Sequence, residues 1–140
     1  MPVKDIAVKG VETADPETPV TELAEDMASA GVGSIVVTAE HRPVGIVTDR
    51  DLAVRVLAED VDPATLVAAD VMTEDPATVR STAEELAVAT EMYERGVRRM
   101  PVVDDGDHLV GIVTLDDLFG LFVAELADLA AVVEAESPPY

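Results

Sequence analysis

Residues 44–52 read VGIVTDRDL, and residues 110–118 read VGIVTLDDL. Seven of the nine positions are identical, at an offset of 66 residues. That interval is longer than a solenoid unit, so it marks a duplicated subdomain. Working outward from the two copies therefore shows what one unit contains.

Upstream, residues 18–31 and 82–96 each place apolar side chains on one helix face. These are Val20, Leu23, Ala24 and Met27 in the first copy, and Val88, Ala89 and Met92 in the second. Thr18 is expected to cap the first helix with Pro19 at its first position, and Thr82 with Glu85 to form a capping box on the second. Gly31 and Gly96 are expected to stop them. An apolar run follows each helix, over 35–37 and 100–103, then a polar turn and a β-branched return strand over 44–47 or 110–113. A second helix is expected over 50–57 and again over 116–129. Short entry segments at 11–13 and 77–79 are placed to add edge strands.

A unit of about 55 residues has a marginal core by itself, so the two copies are expected to bury their sheets and helices against each other about a pseudo-twofold axis. The fold class is α+β, each repeat having a small, mainly antiparallel sheet and two helices. The first repeat is read over residues 1–60, a connecting segment with Asp62 and Pro63 over 61–70, the second repeat over 71–132 and a flexible tail over 133–140. The junction between repeats is then a symmetric cleft.

Composition limits what that cleft can do. The chain carries 29 acids against 9 bases, a formal charge of −20, which repels phosphate backbones and argues against nucleic acid or anionic membrane as the main partner. Acids spread along the whole chain, with only two lysines beside seven arginines, point to the solvated surface of a halophilic, cytoplasmic protein. No apolar run approaches the roughly 20 residues of a membrane span, and the N-terminus lacks the apolar centre of a secretory signal. There are no cysteines, which removes disulfides, thiol catalysis and cysteine-ligated metals.

The order of helix, apolar hairpin, GIVT-x-x-D and helix, written twice, resembles a tandem pair of cystathionine beta-synthase (CBS) domains of the stand-alone, archaeal type. The residues that carry the resemblance are 45–51 (GIVTDRD), 111–117 (GIVTLDD) and 96–104 (GVRRMPVVD). It implies a regulatory module that binds adenosine-containing ligands between the repeats, as a dimer of pairs. On that resemblance Asp51 and Asp117 would hold ribose, and Thr48 and Thr114 would contact ribose or phosphate. Backbone around Gly33, Ser34 and Ile35, and around Arg99, Met100 and Pro101, would line the adenine pocket. Thr13 and Thr78 are further candidates near the entry segments.

The residues themselves allow two readings of Thr48-x-x-Asp51 and Thr114-x-x-Asp117. As capping boxes, the Thr hydroxyl accepts from a helix amide and the Asp from the Thr amide, with nothing bound. As a ligand site, free amides at the helix start face a phosphate while the carboxylate accepts from two ribose hydroxyls. Arg98 and Arg99 are suited to phosphate through bidentate guanidinium contacts, or else to salt bridges with surface acids. Their counterparts in the first copy are Gly33 and Ser34, so the two half-sites should differ, with Arg50 serving phosphate in the first.

No metal is expected: His41 and His108 sit in polar turns without a second ligand at helical spacing, and the turn over 104–107 lacks the length and closing Glu of a calcium loop. No nucleophile elbow, catalytic triad or glycine-rich phosphate loop appears, so the chain is not read as an enzyme. The expected function is a non-catalytic sensor with no obligatory cofactor. AMP, ADP, ATP or an S-adenosylmethionine-type ligand would alter the shape of a homodimer or its contact with an unidentified regulated protein. The alternative is a ligand-free dimerisation scaffold.

Overall fold

Both expected hairpins form, because each β-branched run is bounded by turn residues. In the first copy β1 (Thr13–Ala14) leads to α1 (Val20–Ala30), and β2 (Ser34–Ala39) turns back as β3 (Arg42–Thr48). Glu40 and His41, both with positive φ, make the tight turn between them. α2 (Asp49–Leu52) follows and runs on as a π-helical turn over Ala53–Leu57. The remainder comprises α3 (Ala68–Val71), β4 (Thr73–Glu74), β5 (Val79–Arg80), α4 (Glu85–Arg95), β6 (Arg99–Val103), β7 (Leu109–Thr114) and α5 (Leu115–Glu136). This computed structural model describes residues 1–137.

The two sheets repeat one another in register. Ser34 lies opposite Thr48 and Val36 opposite Ile46, and in the second copy Arg99 lies opposite Thr114 and Pro101 opposite Ile112. Both hairpins shift register late in the outgoing strand, after Val37 and after Val102. β1 and β5 pair in parallel on the outer edges, where the entry segments were expected to add strands. The fold is α+β, and its two small sheets are mixed but mainly antiparallel.

The copies are interlocked, because each one's leading segment crosses to the other's sheet. β4 pairs with β3, Thr73 lying opposite Ile46, while Val8 makes the equivalent antiparallel bridge to Ile112 of β7. Val3 in a 3-10 turn over Val3–Asp5 is fully buried in the second core with Val88, Met92, Met100 and Leu118. Its counterpart Ala68 is buried in the first core with Leu23, Ile35 and Val47. The backbone repeats the exchange: Val3 N donates to Ala83 O at 2.7 Å, and Ala68 N to Thr18 O at 2.8 Å. Two glycines make room for the crossings. A Cβ on Gly111 would stand 3.0 Å from the Val8 carbonyl oxygen, and one on Gly45 would stand 2.8 Å from Met72 Cγ.

This exchange corrects two local expectations. Thr18 does not cap α1: its hydroxyl accepts from Asp15 N instead, and the first amide of the helix, Val20 N, donates to Leu66 O of the crossing segment. Thr82 and Glu85 form no capping box, since Glu85 N donates to Met1 O and its carboxylate takes the N-terminal ammonium. The segment read as a connection over 61–70 carries a 3-10 turn at Pro63–Thr65 and the start of α3, with Ala68 buried. At the other end, α5 continues to Glu136, so residues 133–136 extend a helix where a tail was expected. Ala-rich sequence sustains it. The expected fraying of residues 138–140 lies outside the described residues. Gly31 and Gly96 end α1 and α4 in the left-handed conformation, as their positions predicted. Among the described residues no helix is long and apolar enough to cross a membrane.

Candidate functional site

No polar or charged side chain is buried among the described residues, so any chemistry must lie in a surface concavity. One cleft of about 830 Å³ opens between the two sheets, within the range of about 300–1,000 Å³ common for small-molecule sites. Its walls come in repeat-related pairs: Ile46 with Ile112, Val32 with Val97, Thr48 with Thr114, and Val11 with Pro76. The crossing segments supply Val8 and Thr73, so neither repeat alone would complete the cleft.

The hairpin register explains why these residues meet. Ser34 and Thr48 face each other where β2 starts and β3 ends, and Arg99 and Thr114 do so in the second sheet. Each strand end then feeds a helix. Asp49 N donates to Gly33 O at 3.0 Å, and Leu115 N donates to Arg98 O at 2.7 Å, which pins both helix starts to the hairpin mouths.

Of the residues singled out from sequence, Gly33, Ser34, Thr48, Arg50, Arg98, Arg99, Pro101 and Thr114 line the cleft. The others do not. Ile35 and Met100 point their side chains into the two cores, leaving only backbone near the mouth, and Thr13 and Thr78 are exposed away from it. Asp51 and Asp117 serve as helix caps. Asp51 Oδ2 accepts from Thr48 N at 2.8 Å while Thr48 Oγ1 accepts from Asp51 N at 3.1 Å. Asp117 Oδ2 likewise accepts from Thr114 N and from Thr114 Oγ1, both at 2.9 Å. An ionised carboxylate has about four acceptor positions, so each Asp retains capacity beyond its cap. Asp51 Oδ1 has one neighbour, Arg55 Nε at 3.8 Å.

Electrostatics set the cleft apart from the rest of this acidic surface. Arg50, Arg98 and Arg99 stand there against Glu12, Asp49 and Asp116, an even balance in a chain of net charge −20. Four other arginines are occupied: Arg42 and Arg80 on backbone carbonyls, Arg55 on Val71 O and Met72 O, Arg95 on Glu91. Arg98 reaches Asp116 at 3.9 Å, with both side chains mostly in solvent, a contact of little energetic weight. Arg50 and Arg99 make no side-chain hydrogen bond or ion pair to the described residues. The sequence reading missed the apolar floor, Ile46 and Ile112, and the acids Glu12, Asp49 and Asp116. Asp49 lies against Gly33, where an added Cβ would come within 3.3 Å of its carboxylate. The signal available for the floor was the repeat itself, since the apolar pairs recur at the same offset as the polar ones.

No group of three or more His, Asp or Glu side chains able to hold a metal occurs among the described residues. In the turn over 104–107 the Asp104 carboxylate accepts from His108 N at 3.0 Å and Gly106 N at 2.9 Å. These bonds, His108's first, hold its pKa below the usual carboxylate value. They account for the Asp and Gly there as turn chemistry.

Comparison with known proteins places this arrangement. The CBS domain matches the chain twice, over residues 3–58 and 67–124. An uncharacterized protein of Methanopyrus kandleri is 36% identical over 117 residues, covering 83% of this chain and 60% of its own length, so the chain spans less than two thirds of that relative. The CBS domain pair of a protein solved in complex with 5'-methylthioadenosine and S-adenosyl-L-methionine superimposes with a TM-score of 0.80 at 29% identity, covering 89% of this chain and 98% of that one. A CBS domain protein from Pyrobaculum aerophilum complexed with AMP superimposes with a TM-score of 0.76 at 26% identity, over 84% of this chain and 89% of that one.

Proposed function

The chain belongs to the CBS domain family as a tandem pair, and from that premise we propose that it is a non-catalytic regulatory sensor whose inter-repeat cleft binds an adenosine-containing ligand. The observation that carries the reading is the pair Arg50 and Arg99. In a chain with 29 acids, two arginines without a protein partner among the described residues both line the cleft. A phosphate would satisfy them by charge-assisted, bidentate contacts. The apolar floor of Ile46 and Ile112 suits a purine face, and the remaining acceptor capacity of Asp51 and Asp117 suits ribose hydroxyls. The complexes of the two structural relatives, with AMP and with adenosyl compounds, support the same ligand class.

The two halves of the cleft differ, which gives the reading a direction. The second half has Arg98 and Arg99 where the first has Gly33 and Ser34, so phosphorylated ligands belong beside Thr114, and Arg50 offers the first half a single guanidinium. Ligand in the cleft would favour one arrangement of a homodimer of pairs and so alter contact with a regulated protein. A cytoplasm of high ionic strength fits the surface charge, since salt screens the repulsion among so many carboxylates.

A ligand-free scaffold is the second reading, favoured by one observation: both Thr-x-x-Asp boxes are complete as helix caps without any ligand. Thermal unfolding in molar KCl, with AMP, ATP, S-adenosylmethionine and methylthioadenosine each in excess, separates the two. Binding at about 100 times Kd raises stability by about 2.7 kcal/mol. The sensor reading expects at least one ligand to raise the melting temperature by several degrees, and an unmoved transition across the panel would favour the scaffold.

A further inference from the structure

The two Thr-x-x-Asp boxes cap their helices in the same way, yet the free oxygens of their aspartates have different neighbours. In the first copy Asp51 Oδ2 serves the cap, and Oδ1 faces Arg55 Nε at 3.8 Å. In the second, Asp117 Oδ2 serves the cap and Oδ1 makes no hydrogen bond or ion pair with the described residues. The counterpart of Arg55, at the offset of 66, is Leu121. Helix geometry differs as well: α2 widens into the π-helical turn over Ala53–Leu57 that carries Arg55, whereas α5 runs as an α-helix from Leu115 to Glu136. Single π turns recur where a helix serves a functional site.

Arg55 is itself anchored. Its Nη1 donates to Val71 O at 3.1 Å and to Met72 O at 3.2 Å, the carbonyls at the end of α3. From there the chain enters β4, where Thr73 lines the cleft and lies opposite the floor residue Ile46. An exposed ion pair ordinarily contributes little, because two long side chains must be ordered to form it. Here the guanidinium is fixed by two carbonyls and the carboxylate by its cap on Thr48, so both partners are ordered already. At 3.8 Å the pair lies beyond hydrogen-bond distance, so the positive charge orients Asp51 Oδ1 without occupying its acceptor positions.

We propose that Arg55 is a positioning residue: it holds Asp51 Oδ1 in the orientation that accepts from ribose hydroxyls, so that the first half of the cleft selects an adenosine ligand by its ribose. Arg55 does not line the cleft and acts through Asp51. The second half, where Asp117 has no such neighbour, relies on the phosphate contacts of Arg98 and Arg99. The inference rests on the sensor reading, which supplies the adenosine ligand, and adds to it the residue that sets ribose selectivity.

The test takes Asp117→Ala as its background, which leaves Asp51 as the ribose carboxylate, and uses adenosine and 2',3'-dideoxyadenosine as probes, neither carrying a phosphate. Calorimetric titration in molar KCl gives the ratio of their affinities. Hydrogen bonds to a carboxylate are strong enough for adenosine to bind about tenfold tighter or more. Adding Arg55→Leu, the residue the second copy has, should reduce that ratio by about threefold or more, the scale of an ordered ion pair. Arg55→Lys keeps a cation for the α3 carbonyls without the Nε. It should lower the ratio too, with circular dichroism and melting temperature close to the background's, and it decides the question if Arg55→Leu unfolds. A residue that only clamps α3 would weaken both nucleosides equally, so an unchanged ratio overturns the proposal. A ratio that rises shows Arg55 competing with ribose and overturns it as well. If the background binds both nucleosides alike, or neither, while the parent binds AMP, the proposal falls and the sensor reading stands. A parent that binds neither AMP nor adenosine overturns both.

Discussion

Val3→Ala should destabilise the whole chain, although residue 3 lies at the start of the sequence and reads as part of the first repeat. Val3 is fully buried in the second core, held there by the 2.7 Å bond from its amide to Ala83 O. Two methyl groups would be lost, each worth about 0.8 kcal/mol in transfer from water, and the cavity left behind adds to that. The expected cost is about 2 kcal/mol, which lowers the melting temperature by roughly 6–8 °C in a domain of this size. The assay is thermal unfolding in molar KCl followed by circular dichroism, with Lys4→Ala as a surface control expected to stay within about 0.5 kcal/mol. Because each core borrows a segment from the other copy, both should melt in one transition. A shift for Val3→Ala no larger than the control's, or a first repeat that melts separately and at the parent temperature, would refute the interlocked reading.

Other substitutions probe the same structure elsewhere. Gly111→Ala brings a Cβ to 3.0 Å from the Val8 carbonyl oxygen, a backbone atom, so it should lower the melting temperature more than Gly45→Ala, whose obstacle is the flexible Met72 side chain. Asp117→Ala removes the cap on α5 and should cost about 1 kcal/mol in denaturant unfolding, with Asp51→Ala similar; Asp117→Asn should recover part of it. Asp104 has its folded pKa lowered, mainly by the His108 amide, so its stabilising contribution is present above the ordinary carboxylate value and fades as pH falls through the lowered one. The stability gap between the parent and Asp104→Asn, measured by urea titration, should therefore close on acidification; a constant gap would contradict the assignment.

How far the sequence alone reveals this molecule depends on the distance over which each feature is determined. The hairpins are legible because Ile35, Val36 and Val37, and their counterparts in the second copy, are β-branched or apolar runs bounded by turn residues, a local signal. Gly31 and Gly96 are legible for the same reason. The starts of α1 and α4 are not, since their first amides are satisfied by the carbonyls of Leu66 and Met1, far away along the chain. Val3 gives no local sign of burial: it lies in a single 3-10 turn beside two charged residues. Its role shows only when the repeat offset is carried back to the N-terminus, where Val3 aligns with Ala68. In the cleft, the arginines and threonines stand out by type, whereas Ile46 and Ile112 read simply as core strand residues. Asp51 and Asp117 show the reverse limit, because the same spacing describes a cap and a ribose ligand.

The most direct measurement of the central claim is calorimetric titration of AMP and of adenosine into the parent and into Arg99→Ala, in molar KCl. A charge-assisted hydrogen-bonded pair is worth about 1.5–3 kcal/mol, so the account predicts that AMP binds the parent saturably and loses roughly tenfold or more in affinity to Arg99→Ala, while adenosine changes little. AMP binding that is unaffected by Arg99→Ala, or no heat from either compound with folded protein, would contradict it.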